Sequence, residues 1–129
     1  MRVYLCRHAE AAPGDPDDLR ELTATGREQA RALAARLAAL PEPPVLVVSS
    51  PLLRARQTAK EIAAATGAPL QVDARLEPGA TADLLRASLE GTDGPVATVG
   101  HQPDCSEIAV ALTGADPGFL PAGVVELSV

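Results

Sequence analysis

The chain has 129 residues, 47% hydrophobic and 2% aromatic with no Trp, which is the length of one domain with a core of Ala, Leu and Val. That apolar content excludes a disordered chain, and a formal net charge of −6 excludes sequence-independent nucleic-acid binding, which needs a basic surface. No apolar run reaches the roughly 18 residues of a membrane span. Met1-Arg2 runs straight into Val3-Tyr4-Leu5-Cys6, too short for a signal core, so a cytoplasmic chain is expected, with Cys6 and Cys105 as free thiols.

Residues 2–6 read as a short buried strand, and residues 11–22 as a loop marked by Pro13-Gly14-Asp15-Pro16-Asp17-Asp18. Thr25 then precedes a helix to about Leu40, with Ala30, Leu33, Ala34 and Leu37 at helical spacing. Pro41, Pro43 and Pro44 stop it. Val45-Leu46-Val47-Val48 has the continuous apolar character of a strand buried on both faces. Ser49-Ser50-Pro51 follows, with Pro51 in the first turn of a helix that reaches about Thr66 and closes at Gly67.

Residues 69–73 form a weak third strand, Ala82 to Leu89 a helix, and Gly91 to Gly94 a turn. Val96-Ala97-Thr98-Val99 is a buried strand ended by Gly100, followed by a helix to about Leu112 and a last strand, Val124 to Val129. Strand and helix alternate without repeat or linker. The expected fold is a single α/β domain over 1–129, a three-layer sandwich whose mostly parallel central sheet carries helices on both faces.

Ligands of such sheets bind beyond the carboxyl ends of the strands. Arg7-His8-Ala9-Glu10 follows the first strand. Ser49-Ser50-Pro51 follows the second, with Arg54 in the opening turn of the next helix. Gly100-His101-Gln102-Pro103-Asp104 follows the third confident strand. Both histidines of the chain and two of its arginines therefore fall on one edge. A neutral imidazole can attack phosphorus and carry the group covalently. Guanidiniums and a second imidazole can spread over the phosphoryl oxygens, and helix N-termini after Pro51 and Pro103 would add backbone N–H groups.

The plainer alternatives are capping histidines, and arginines paired with carboxylates such as Glu10 or Glu61. A zinc site from Cys6, His8, His101 and Cys105 is a third reading. Its spacings match no common zinc module, and the flanking arginines would repel the ion.

At these residues the chain resembles the histidine phosphatase superfamily, the group that includes the phosphoglycerate mutases. It is most similar to the short SixA-type phosphohistidine phosphatases. The resemblance rests on residues 3–11, on Arg20-Glu21-Leu22-Thr23-Ala24-Thr25-Gly26, on residues 49–59 with Ser-Ser-Pro-Leu-Leu-Arg-Ala-Arg-Gln-Thr, and on Val99-Gly100-His101-Gln102-Pro103. It implies that His8 is a nucleophile passing through a phosphohistidine. Arg7, Arg54, His101 and Gln102 would hold the phosphate, and no metal or other cofactor is implied.

Two departures stand out. Ala9 replaces the family's usual Gly, which would cost about 1 kcal/mol if that position needs positive φ. The family's frequent Glu proton donor has only Glu77 near its place, with Glu10 and Asp104 as other candidates.

No long insertion caps the pocket, which suits a phosphorylated protein side chain. Removal of phosphate from phosphohistidine in a protein is therefore the expected activity, with no nucleic-acid or membrane partner. A small phosphomonoester substrate, or a phosphate-binding module without turnover, are the alternatives. Activity should fall at low pH as His8 takes up a proton, from a reference near about 6.5.

Overall fold

The computed structural model describes residues 1–129. Its strands are β1 (Arg2–Arg7), β2 (Leu46–Ser49), β3 (Leu70–Val72), β4 (Val96–Gly100) and β5 (Val124–Ser128), and its helices are α1 (Ala24–Ala38), α2 (Leu53–Thr66), α3 (Ala82–Ser88) and α4 (Asp104–Thr113). Short 3-10 turns occupy Asp17–Leu19 and Ala74–Leu76. The strands form one sheet in the order β3-β2-β4-β1-β5. The β1–β4, β2–β4 and β2–β3 pairs are parallel, and only β5 runs antiparallel, against β1.

Because side chains alternate across a strand, the sheet feeds two cores. Val3, Leu5, Leu46, Val48 and Val96 pack with Leu85 of α3 and Ile108 of α4. Tyr4, Cys6, Val47, Ala97 and Val99 pack with Leu33 and Leu37 of α1 and Ala55, Ala59 and Ile62 of α2. Helices thus cover both faces, giving the three-layer α/β sandwich that the alternation of strand and helix predicts. Small Ala side chains on α1 and α2 fill the space that aromatics fill elsewhere. No helix is long and apolar enough to cross a membrane.

Two helix starts differ from expectation. α1 begins one residue before Thr25, with Thr23 as its cap: the Gly26 N–H donates to Thr23 Oγ1 at 2.9 Å. α2 begins at Leu53, so Pro51 lies before the helix rather than in its first turn. Ser50 Oγ accepts the Leu52 N–H at 3.2 Å, and this side-chain bond holds the bend ahead of the helix.

Candidate active site

β1, β4 and β2 end side by side, with Arg7 opposite Gly100 and Ser49 opposite Val99. The ladder continues one residue further on each side. The His8 N–H donates to Gly100 O and the Ser50 N–H to Val99 O, both at 3.0 Å. This fixes His8, Ser50 and His101 on one edge. The His8 and His101 ring centroids are 5.2 Å apart, at 60°.

The His8 imidazole has a defined tautomer. Arg54 Nε, which can only donate, lies 3.3 Å from His8 Nε2, so Nε2 carries the lone pair. His8 Nδ1 then bears the proton and donates to the Ala9 carbonyl at 2.6 Å. Burial pushes the His8 pKa down to about 4, the Ala9 carbonyl opposes this, and the charges of Arg54, Arg7 and Arg20 push it lower.

Ser50 Oγ, which accepts the Leu52 N–H, lies 2.7 Å from His101 Nε2 and shares a hydrogen bond with it. His101 Nδ1 is buried and without a partner. Burial, then the charges of His8 and Arg54, hold the His101 pKa down at about 4 as well.

Arg7 anchors one arm on the Phe119 carbonyl, Nη1 donating at 2.8 Å, while its buried Nε has no partner. Arg7 Nε and His101 Nδ1 are thus two buried polar atoms whose bonding a bound oxyanion would complete. Arg54, 6% exposed, gives Nη1 to the Asp17 carbonyl at 2.8 Å and Nη2 to Asp17 Oδ2 at 3.2 Å. Thr58 steadies the floor: its Oγ1 accepts the Ala9 N–H and donates to Arg54 O.

Ala9 is buried and has no positive φ; the only residue other than Gly that does is Ala122. The strain expected from Ala in place of Gly therefore does not arise.

Other expected residues lie elsewhere. Gln102 turns its amide onto its own helix, Nε2 donating to Ser106 Oγ and Oε1 accepting the Ser106 N–H. The α4 N-terminus offers little to an anion, because the Cys105, Ser106 and Glu107 N–H groups bond His101 O, Gln102 Oε1 and Pro103 O. Glu77 is exposed in a surface groove with Arg75, Pro78 and Leu84. The Glu10 carboxylate accepts from Thr23 Oγ1 at 2.6 Å. Buried Asp104 accepts the Gly79 and Ala80 N–H groups. Glu10 and Asp104 are thus engaged in hydrogen bonds within the fold, and Glu77 is exposed.

Cys6 belongs to the core under α1 and α2 and Cys105 to the core under α3 and α4, so the sheet separates the two thiols. Burial pushes both thiol pKa values up, that of Cys105 to about 12, and no three His, Cys, Asp or Glu side chains gather where they could hold a metal ion. A four-ligand zinc site is incompatible with this arrangement.

Sequence reasoning missed Asp17 and Arg20. Both fall in a stretch read as loop and structural segment, yet Arg20 Nη1 donates to Asp17 Oδ1 at 3.0 Å and its charge acts on His8. Their only sequence signal is that Arg20 opens the Arg20–Gly26 segment on which the family resemblance rests.

A parallel-sheet edge with two neutral imidazoles, a buried guanidinium from Arg54 and a half-buried one from Arg7 suits an enzyme of phosphoryl transfer. The family model of the histidine phosphatase superfamily (branch 1) matches residues 3–84. An uncharacterized protein of Picosynechococcus sp. is 37% identical over 98% of this chain and 84% of its own length. Among solved structures, the protein histidine phosphatase SixA complexed with tungstate superposes with a TM-score of 0.90 at 26% identity, covering 100% of this chain and 88% of that one. A SixA candidate from Agrobacterium tumefaciens has a TM-score of 0.83 at 29% identity, covering 97% and 89%. The chain belongs to the histidine phosphatase superfamily. It is a phosphatase of the SixA type.

Proposed function

We propose that this phosphatase removes the phosphoryl group from phosphohistidine in a protein, through a covalent intermediate on His8. The observation that carries the nucleophile is the state of its ring. Nδ1 is committed to the Ala9 carbonyl at 2.6 Å, and Nε2 is an unprotonated lone pair facing Arg54 Nε at 3.3 Å.

In the first step the Nε2 lone pair attacks phosphorus. A P–N bond to His8 forms, and the bond from phosphorus to the leaving atom breaks with its electrons on that atom. Arg7, Arg54 and His101 hold the phosphoryl oxygens and oppose the charge that gathers on them. The phosphorylated His8 ring still has its Nδ1 proton, so it is an imidazolium whose positive charge the Ala9 carbonyl steadies. Water then attacks phosphorus, the P–N bond breaks, and the electrons return to Nε2.

The protein substrate is supported by the absence of any inserted subdomain between β2 and β4, which leaves the mouth open to a side chain on a large partner. The name of the tungstate-bound relative, a protein histidine phosphatase, points the same way.

The test has two arms. Acid-labile phosphate should be trapped on the wild-type protein and lost in His8→Ala, with turnover lost alongside; unchanged hydrolysis in His8→Ala overturns the nucleophile. A phosphohistidine peptide should be turned over in preference to a panel of small phosphoesters, and the reverse preference overturns the substrate.

A further inference from the structure

Nε and Nη2 of Arg54 form one edge of the guanidinium, the edge that takes two oxygens of a carboxylate or phosphate side by side. In this structure His8 Nε2 sits at one end of that edge and Asp17 Oδ2 at the other, 3.3 and 3.2 Å away. Asp17 Oδ2 therefore occupies the seat that a phosphoryl oxygen would take beside the nucleophile. The other carboxylate oxygen is held by Arg20 Nη1 at 3.0 Å, independently of Arg54. The Asp17 side chain is 64% exposed, so it stands at the mouth. In-line attack by His8 sends the leaving group away from the floor, toward that mouth.

We infer that Asp17 is a specificity-determining residue: it yields Arg54 to the incoming phosphoryl group and, still tethered to Arg20, accepts the ring N–H of a phosphoimidazole leaving group. The inference rests on the proposed phosphohistidine reading and deepens it.

The chemistry favours that leaving group. A phosphoimidazole protonated on its far nitrogen departs as neutral imidazole: the P–N electrons return to the ring, and the far nitrogen keeps its proton. Asp17 stabilises that proton before and during cleavage and takes no proton itself. The hydrogen bonds from Arg20 and Arg54 hold its carboxyl below the usual range, consistent with an ionised acceptor. Beside a phosphoester the same carboxylate faces an oxygen gaining negative charge, which it repels. None of Glu10, Glu77 or Asp104 has a bond to a pocket arginine.

The test compares one N–P and one O–P substrate, N-phosphoimidazole and phenyl phosphate, in the wild type and in Asp17→Asn. The kcat/KM ratio of the first to the second should fall roughly tenfold in Asp17→Asn, the scale of losing one charge-assisted hydrogen bond. Tungstate, no longer competing with a carboxylate for Arg54, should inhibit the variant at several-fold lower concentration. A ratio measured in one preparation does not depend on the fraction folded, and Asp17→Ser should lower it as well. An unchanged ratio, or a loss confined to phenyl phosphate, overturns the inference while leaving the phosphohistidine reading standing. A wild type that cleaves phenyl phosphate but not N-phosphoimidazole overturns both.

Discussion

The attack proposed for His8 needs one ring nitrogen free of a proton near neutral pH, and two physical causes keep it so. Burial disfavours its cation, and Arg54, Arg7 and Arg20 repel it. His101 is held neutral by burial, by His8 and by Arg54. The sequence alone suggests an acid limb near the ordinary histidine value of about 6.5; the structure moves it down. The chain has two histidines, so a proton NMR titration reads both directly. Neither ring should titrate between pH 8 and about pH 5, and kcat/KM should keep its acid limb closer to 4 than to 6.5. Midpoints at 6 or above would contradict this account of the site. Asp104 gives a second check at the same scale. Its buried carboxylate accepts two backbone N–H groups from the loop before α3, so Asp104→Ala should lose about 2–4 kcal/mol of stability in urea unfolding. At a temperature where the variant stays folded, kcat should remain near wild type. A kcat loss of a hundredfold in folded protein would instead put Asp104 among the reacting groups.

The elements matter through the way α1 grips the segment after β1. Thr23 caps α1, its hydroxyl donates to Glu10 Oε2, and its N–H donates to Glu10 O. Gly26 sits in the first turn against the Glu10 backbone, where a Cβ would overlap the Glu10 carbonyl oxygen. Glycine is required here by close approach, since its φ is ordinary. Gly26→Ala should therefore cost about 2 kcal/mol or more, the scale of overpacking against a backbone that cannot yield. Part of the shift should pass to His8, two residues from Glu10, and appear as lower kcat in folded protein. A melting temperature equal to wild type would show that the contact is slack. These junctions are also where sequence reading ran out. Periodicity in Ala30, Leu33, Ala34 and Leu37 locates α1, but either Thr23 or Thr25 could begin it. What selects Thr23 is Glu10, a partner thirteen residues away that no local pattern reveals. Pro51 reads as a first-turn residue for the same reason, because the Ser50–Leu52 bond that displaces the helix start is a matter of folded geometry.

At the scale of the molecule, the edge was legible and its wiring was not. Val3–Cys6, Leu46–Val48 and Val96–Val99 read as strands buried on both faces, and that is enough to send His8, Arg54 and His101 to one end of a parallel sheet. Asp17 on Arg54 joins residues 37 apart and depends on loop closure, which nothing in composition encodes, whereas Gln102 on Ser106 is a local contact four residues apart. The chain carries a net charge of −6 yet gathers Arg7, Arg20 and Arg54 around two imidazoles, and this local excess of cations carries a consequence for folding. Both rings have folded-state pKa values of about 4, against about 6.5 when the chain is unfolded. The unfolded chain thus binds protons more tightly, so stability rises with pH across that interval. The contribution is complete above about pH 6.5, is lost as pH falls toward 4, and changes no further below it. Asp17 and Asp73, with carboxyls held below the usual range by Arg20 and Arg75 first of all, add their own loss at the lower end of that window and below it. Unfolding in urea at pH 7.5 and pH 5.0 should therefore show a loss on the order of a few kcal/mol, and His101→Gln should lose distinctly less over the same interval. Equal losses in the two proteins would mean that the cationic pocket does not govern the acid sensitivity of the fold.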